Sequence, residues 1–275
     1  MNKATRWFRI FVIGLGLGLI CMQDLAHAQS GAPNTAASVD ISDLWWDPAE
    51  SGWGMQFTQA NDFAFATVFI YGEGNQPTWV TAHLTRGAGS AFAGPLFVTT
   101  GSRYGTPWNS ANATVREAGT MTFTLLTSST GDLTYNIDGV TVTKQLQRQT
   151  LKLEDYNGDY MSAVYLTASD CVDPANDIIY TGTYGVAVSQ SSTTMSVAWQ
   201  RDSESVCTYS GTYGQTGKLG LLSAAYSCTT GEVGTMEFSE MQKRAGMFSA
   251  RVTGRSSNLG CAYSGKFTGI DISVP

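Results

Sequence analysis

Apolar and polar residues alternate with a period of two through most of this chain. Phe63, Phe65, Phe69 and Tyr71 share one parity, and Ala64, Ala66, Val68 and Ile70 share the other. Successive side chains of a strand point to opposite faces, so this period predicts extended chain rather than helix. Both parities are apolar here, and the pattern predicts a strand covered on both sides. Gly72-Glu73-Gly74-Asn75 interrupts the run and turns the chain into a second strand, Thr78 to Leu84. A third signal lies between Gly131 and Arg148, where Asp138-Gly139 is a two-residue turn that needs positive φ. Such a turn fixes the register, setting Ile137 against Val140, Tyr135 against Val142 and Leu133 against Lys144. Thr134, Asn136, Thr141 and Thr143 then face the other way, as expected of a sheet wrapped around a core.

The region after about residue 156 contains an internal repeat. Cys207-Thr-Tyr-Ser-Gly-Thr-Tyr213 matches Cys261-Ala-Tyr-Ser-Gly-Lys-Phe267, and Met161 to Cys171 loosely parallels Leu222 to Cys228. Short strands punctuated by glycine and an aromatic predict a meander of about eight strands, closed or nearly closed. The fold class expected is therefore all-β, with two antiparallel domains, barrel- or sandwich-like. The second is a disulfide-linked internal repeat. The domains are expected over residues 39–150 and 151–275.

Composition adds a compartment. Lys3, Arg6 and Arg9 precede an uncharged apolar run from Ile10 to Met22, and Ala26-His27-Ala28 supplies a small-x-small cleavage site. Residues 1–28 thus read as a secretory signal peptide and 29–38 as a disordered leader. The apolar run is shorter than the roughly 20 residues a membrane-spanning helix needs. An exported product, periplasmic or extracellular, follows. Loss of Lys3, Arg6, Arg9 and Asp24 moves the formal net charge from −6 to about −8. That sign argues against a nucleic-acid partner, which requires a basic face. Cys21 leaves with the signal. Cys171, Cys207, Cys228 and Cys261 remain, an even number for an oxidising compartment. Each half of the repeat holds two of them, so the simplest pairing joins Cys171 to Cys207 and Cys228 to Cys261. Pairing of equivalent positions is the alternative.

The run Leu44-Trp-Trp-Asp-Pro-Ala-Glu-Ser-Gly-Trp-Gly-Met55, followed by Tyr71-Gly-Glu-Gly-Asn-Gln-Pro-Thr-Trp79, resembles a module of exported proteobacterial proteins. That module carries a Trp-Trp-(Asp/Asn)-Pro-x-x-Ser-Gly-x-Gly box. The likeness spans roughly residues 43–150 and includes Gly131 to Val140, Lys144 and Arg148. The resemblance implies export and the domain division and carries no information about activity.

Candidate chemistry is sparse. His83 is the one histidine after the signal, and no Gly-x-Ser-x-Gly elbow accompanies it, so serine or cysteine hydrolase chemistry lacks its parts. Asp47 and Glu50 are a carboxylate pair of the kind a glycosidase needs. The plainer reading of Asp47-Pro48-Ala49-Glu50 is a turn with Asp as its cap. Asp170, Asp173 and Asp177 are candidate metal ligands without EF-hand spacing, and read more simply as a solvated loop. No metal or other cofactor is expected. Trp45, Trp46, Trp53, Trp79 and Trp108 are the candidates for ligand binding, because aromatic faces stack on sugars or line apolar pockets. For Trp53 and Trp79 the simpler expectation is the interior, beside glycines. Trp45 and Trp46 are neighbours on a strand and cannot both point inward. The expected role is a non-catalytic binding protein for a glycan, a small apolar molecule or an envelope protein. The alternatives are a carboxylate-dependent hydrolase and a structural protein of the cell surface.

Overall fold

The computed structural model describes residues 40–272 apart from 202 and 204. The signal peptide and leader expected over 1–38 lie outside the described residues. The first eight strands are β1 (Asp43–Trp46), β2 (Gly54–Ala60), β3 (Phe63–Tyr71), β4 (Pro77–Arg86), β5 (Ala91–Thr100), β6 (Thr114–Leu125), β7 (Thr130–Ile137) and β8 (Val140–Arg148). They close in sequence order into an antiparallel barrel. The next eight are β9 (Gly158–Ser169), β10 (Ile179–Gln190), β11 (Thr194–Gln200), β12 (Val206–Thr216), β13 (Leu219–Cys228), β14 (Val233–Arg244), β15 (Met247–Ser256) and β16 (Ala262–Asp271). They close into a second barrel with β16 beside β9. Among the described residues no helix is long and apolar enough to cross a membrane.

The hairpin β7–β8 has the register its turn dictates. Ile137 faces Val140, Tyr135 faces Val142 and Leu133 faces Lys144. Asp138 and Gly139 both take positive φ, 49° and 87°. On the outer side Thr134 bonds Thr143, and Asn136 donates to Thr141.

Both barrels are filled rather than hollow. In the first, the small residues Ala64, Ala66 and Ala82 face inward with Trp45, Phe57, Phe92 and Phe123. Small walls opposite large rings are how a narrow barrel reaches close packing. Most of the outer wall is hydroxyl-rich. This is the reverse of the apolar-out, polar-in alternation that lipid-spanning barrels require.

The cysteine pairing differs from the expectation. The disulfides are Cys171–Cys261 and Cys207–Cys228, not Cys171–Cys207 and Cys228–Cys261. The cause is ring closure. The last strand of each half lies beside the first strand of the other: β12 pairs with β13, and β16 pairs with β9. Cys207 is directly opposite Cys228 in that register. The glycines of the repeat serve the same contact. A Cβ on Gly211 would lie 1.9 Å from the Ser223 carbonyl oxygen, and one on Gly265 would lie 2.0 Å from that of Tyr165. No side chain fits where these strands approach so closely.

Near the disulfide-bearing end of the second barrel, Glu232 is buried and fully engaged. Both terminal nitrogens of Arg201 donate to its Oε2, and the Tyr226 and Tyr263 hydroxyls donate to its Oε1. Burial raises the pKa of both tyrosines, and the adjacent carboxylate adds to the rise. Every acceptor here has a donor, which marks a structural plug.

A tip of the second barrel closes the first. The turn between β12 and β13 carries Leu219 into the first barrel's core cluster. Beside it, Lys218 donates its backbone N–H to Asp43 and its ammonium to Asp40. Arg148 is 1 % exposed and lies over the Trp45 ring at 4.7 Å. It donates to Asp43 and to the carbonyls of Asp40, Ser42 and Ser128. Burial lowers its pKa and Asp43 opposes that shift, so a guanidinium suits the position.

Candidate binding surface

The tryptophan box is the loop between β1 and β2. Glu50 donates its N–H to the Asp47 carbonyl, and the Asp47 side chain accepts from the Ala49 N–H. Asp47 is therefore a turn cap. Glu50 is paired with Lys144 on β8 and also accepts from the Trp53 indole N–H at 2.9 Å. The hydrogen bond from Lys144, with that from Trp53, holds the Glu50 carboxyl below its ordinary pKa. A general acid needs the opposite shift. The pair proposed as catalytic carboxylates is spent on loop structure.

The loop has a visible task. The register between β1 and β8 is short, Trp45 opposite Arg148 and Trp46 opposite Gln147. Beyond it the β8 backbone would present an open edge, a hazard in any sheet protein. The Glu50–Lys144 contact ties the box to β8 beside that edge.

The candidate tryptophans separate into different surroundings. Trp45 is buried, donates to the Ile41 carbonyl, and meets Phe123 edge-on with centroids 4.9 Å apart. It is a core residue whose edge borders the cleft described next. Trp46 and Trp53 are half-buried and line a cleft of about 320 Å³ with Ser51, Gly52, Gly54 and Phe69. The Trp46 indole N–H is buried and has no hydrogen-bond partner among the described residues. Trp79 does not enter the interior. It stands on the outer face of β4 opposite Phe69, at 52 % and 50 % exposure. Trp108 is exposed in the connection between β5 and β6, over Gly101.

The largest departure from the sequence pattern is β3. Its alanine and valine parity is buried, but its aromatic parity is not covered. Phe63, Phe65, Phe69 and Tyr71 stand on the outer wall, and Tyr71 donates to the Gly52 carbonyl of the box. His83, opposite Phe65 on β4, sits among the rings of Phe63, Phe65 and Phe97 with centroids 5.0 to 6.0 Å away. Phe69 lines the cleft, and the Thr67–Thr81 pair stands between the Phe69–Trp79 pair and the rings about His83 on the same outer wall. Phe63, Phe65, Phe69, Tyr71, His83 and Phe97 were not among the sequence candidates. The available signal was size: small residues on one parity of β3 suit a crowded interior, which leaves the rings outside.

The carboxylates Asp170, Asp173 and Asp177 do not converge. Asp173 accepts from the Ala175 N–H and Asp177 from the Cys171 N–H. Among the described residues no group of three potential ligands comes together.

No protein-family model matches the sequence, and no curated protein matches it. Among solved structures, a Bacteroides fragilis chain described as a "putative outer membrane protein" is similar at 11 % identity with a TM-score of 0.31. The match covers 83 % of this chain and 95 % of that one. A likeness at that level carries no argument about fold or role.

Proposed function

We propose that this chain is an exported, non-catalytic binding protein of the bacterial envelope, and that its recognition surface is the aromatic wall of β3 and β4 with the adjoining tryptophan box. One observation carries this reading: large aromatic side chains are gathered on the outside of a barrel whose remaining exterior is rich in hydroxyls. An exposed apolar patch rimmed by polar residues is the mark of an interaction site. The surface is a wall rather than an enclosed pocket, and the rings about His83 are tilted to one another by 45° to 63°. Such a relief favours the apolar face of a protein partner over a flat stack of sugar rings. Export is supported by the signal-like N-terminus, by the two disulfides and by the resemblance of the box to an exported module.

The experiment is site-specific photocrosslinking from position 79 in the producing cells. A discrete protein adduct that disappears with Phe65→Ser and Phe69→Ser supports the proposal. Absence of any adduct, or one indifferent to those substitutions, refutes it. Glycan-array binding that depends on Trp53 and Trp79 would replace the protein partner with a polysaccharide.

A further inference from the structure

The second barrel carries a groove that plays no part in the aromatic wall. Its volume is about 560 Å³, within the range of small-molecule sites. The floor is made of short outward side chains, Ala163, Ser249 and Thr268. Met161, Ile270 and Met247 stand beside it in one row, since Ile270 is opposite Met161 on one side and Met247 on the other. Their exposures are 47 %, 58 % and 55 %, high for unbranched or branched apolar side chains on one row. Beneath them the Phe248 ring fills the space that a side chain at Gly269 would need, its nearest carbon 2.3 Å from where that Cβ would stand.

The row ends in a charge. Arg244 is opposite Met247 across the β14–β15 turn and lines the groove. The acids near this end are already held: Asp271 by Lys243 at 3.2 Å, and Glu240 by Arg251 at 3.4 Å. Arg244 is exposed and has no ion pair among the described residues. The spacing of hydrogen-bonded strands puts Arg244 about 14 Å from Met161 along this row. An apolar trough of that length, ending in one unpaired guanidinium, is complementary to a chain that is apolar along its length and anionic at one end. Arginine is also the residue whose planar fork fits a carboxylate through two hydrogen bonds. Methionines suit such a role because their unbranched side chains adapt to a flexible occupant.

We infer that this groove binds a single-chain lipid carboxylate, with its acyl chain along Met161, Ile270 and Met247 and its carboxylate on Arg244. The inference stands on the second barrel alone and does not depend on the role proposed for the first.

The test is calorimetric titration of the full disulfide-bonded chain with dodecanoate below its micelle concentration, with dodecyltrimethylammonium as the opposite-charge control. Dodecanoate is expected to bind at least about tenfold more tightly than the cation, the scale of one lost charge-assisted hydrogen bond. Arg244→Gln should erase that preference. Ala163→Phe should abolish binding by filling the floor from the solvent side, and Ser249→Trp is the second filling variant should the first fail to fold. Equal affinity for both head groups, no binding of dodecanoate, or binding that survives a folded filling variant would overturn the inference.

Discussion

The two barrels share strand number and order, yet they close their rings by different means. In the second, β16 lies along β9 from Ala262 opposite Ser169 to Asp271 opposite Tyr160, and Cys171–Cys261 locks that seam. In the first, β1 is four residues long and meets β8 at two register positions. There the closure is side-chain chemistry: Arg148 over Trp45, and the box loop tied to β8 by Glu50 and Lys144. A long ladder with a covalent tie leaves the outer wall no structural duty. A short ladder needs a loop laid over it, and that loop brings tryptophans to the surface beside an aromatic strand. The weaker seam and the candidate recognition surface therefore occupy one region.

Breaking each seam should expose this difference. The largest effect is expected from the paired Cys171→Ala and Cys261→Ala variant, which opens a loop with a separation of 90 residues. Chain-entropy arguments put its cost at about 4–5 kcal/mol, against about 3 kcal/mol for the Cys207–Cys228 link, whose separation is 21. Denaturant unfolding followed by circular dichroism gives both values. Peptide mapping under non-reducing conditions must recover Cys171 with Cys261, and recovery of Cys171 with Cys207 would refute the ring order itself.

Next comes Arg148→Met. It removes the ion-pair partner of the half-buried Asp43 and leaves several carbonyls without a donor, and should cost about 3–5 kcal/mol. Because Trp45 lies under Arg148, the loss should appear as an earlier transition in tryptophan fluorescence. A variant as stable as the parent would show that the first barrel closes without this contact.

On the wall, Phe69→Ser and Trp79→Ser should each change stability by no more than about 0.5 kcal/mol, because both side chains are half exposed. Phe69→Ser should also remove the partner captured from position 79. A large loss of stability would instead make the wall part of the fold.

The smallest effect concerns pH. Glu50 has a folded pKa below its ordinary 4.5, so its pairing contributes fully above that value and is lost as pH falls through the folded pKa. Glu50→Gln should therefore flatten the dependence of stability on pH below about 4.5 and leave the neutral range nearly unchanged. Matching slopes for parent and variant in acid would show that the staple adds nothing to closure. Its exposure keeps the expected difference small.

Much of the fold could be read from alternation and turn chemistry. Asp138-Gly139 set the β7–β8 register without reference to anything distant. Two features escaped for the same reason: both depend on which strands become neighbours around a ring. The cysteine spacing points to pairing within repeat halves, whereas closure makes the halves exchange partners. Apolar residues on both parities of β3 point to rings on a covered face, but parity divides side chains between two faces without saying which is inside. The site was less legible than the fold. The box stood out as a cluster of tryptophans, but Trp45 belongs to the core. Phe69, Tyr71 and His83 gain their significance from alignment with β4 and β5, which no short segment reveals.

The finger formed by Gly217, Lys218 and Leu219 has a consequence for any attempt to take the molecule apart. Leu219 completes the floor of the first barrel, and Lys218 answers the charges of Asp40 and Asp43 there. An excised fragment of residues 39–150 would be a cup without its base. Gene rearrangements that move this module elsewhere must carry a substitute stopper, and recombinant fragments should be designed with the 215–219 hairpin grafted on.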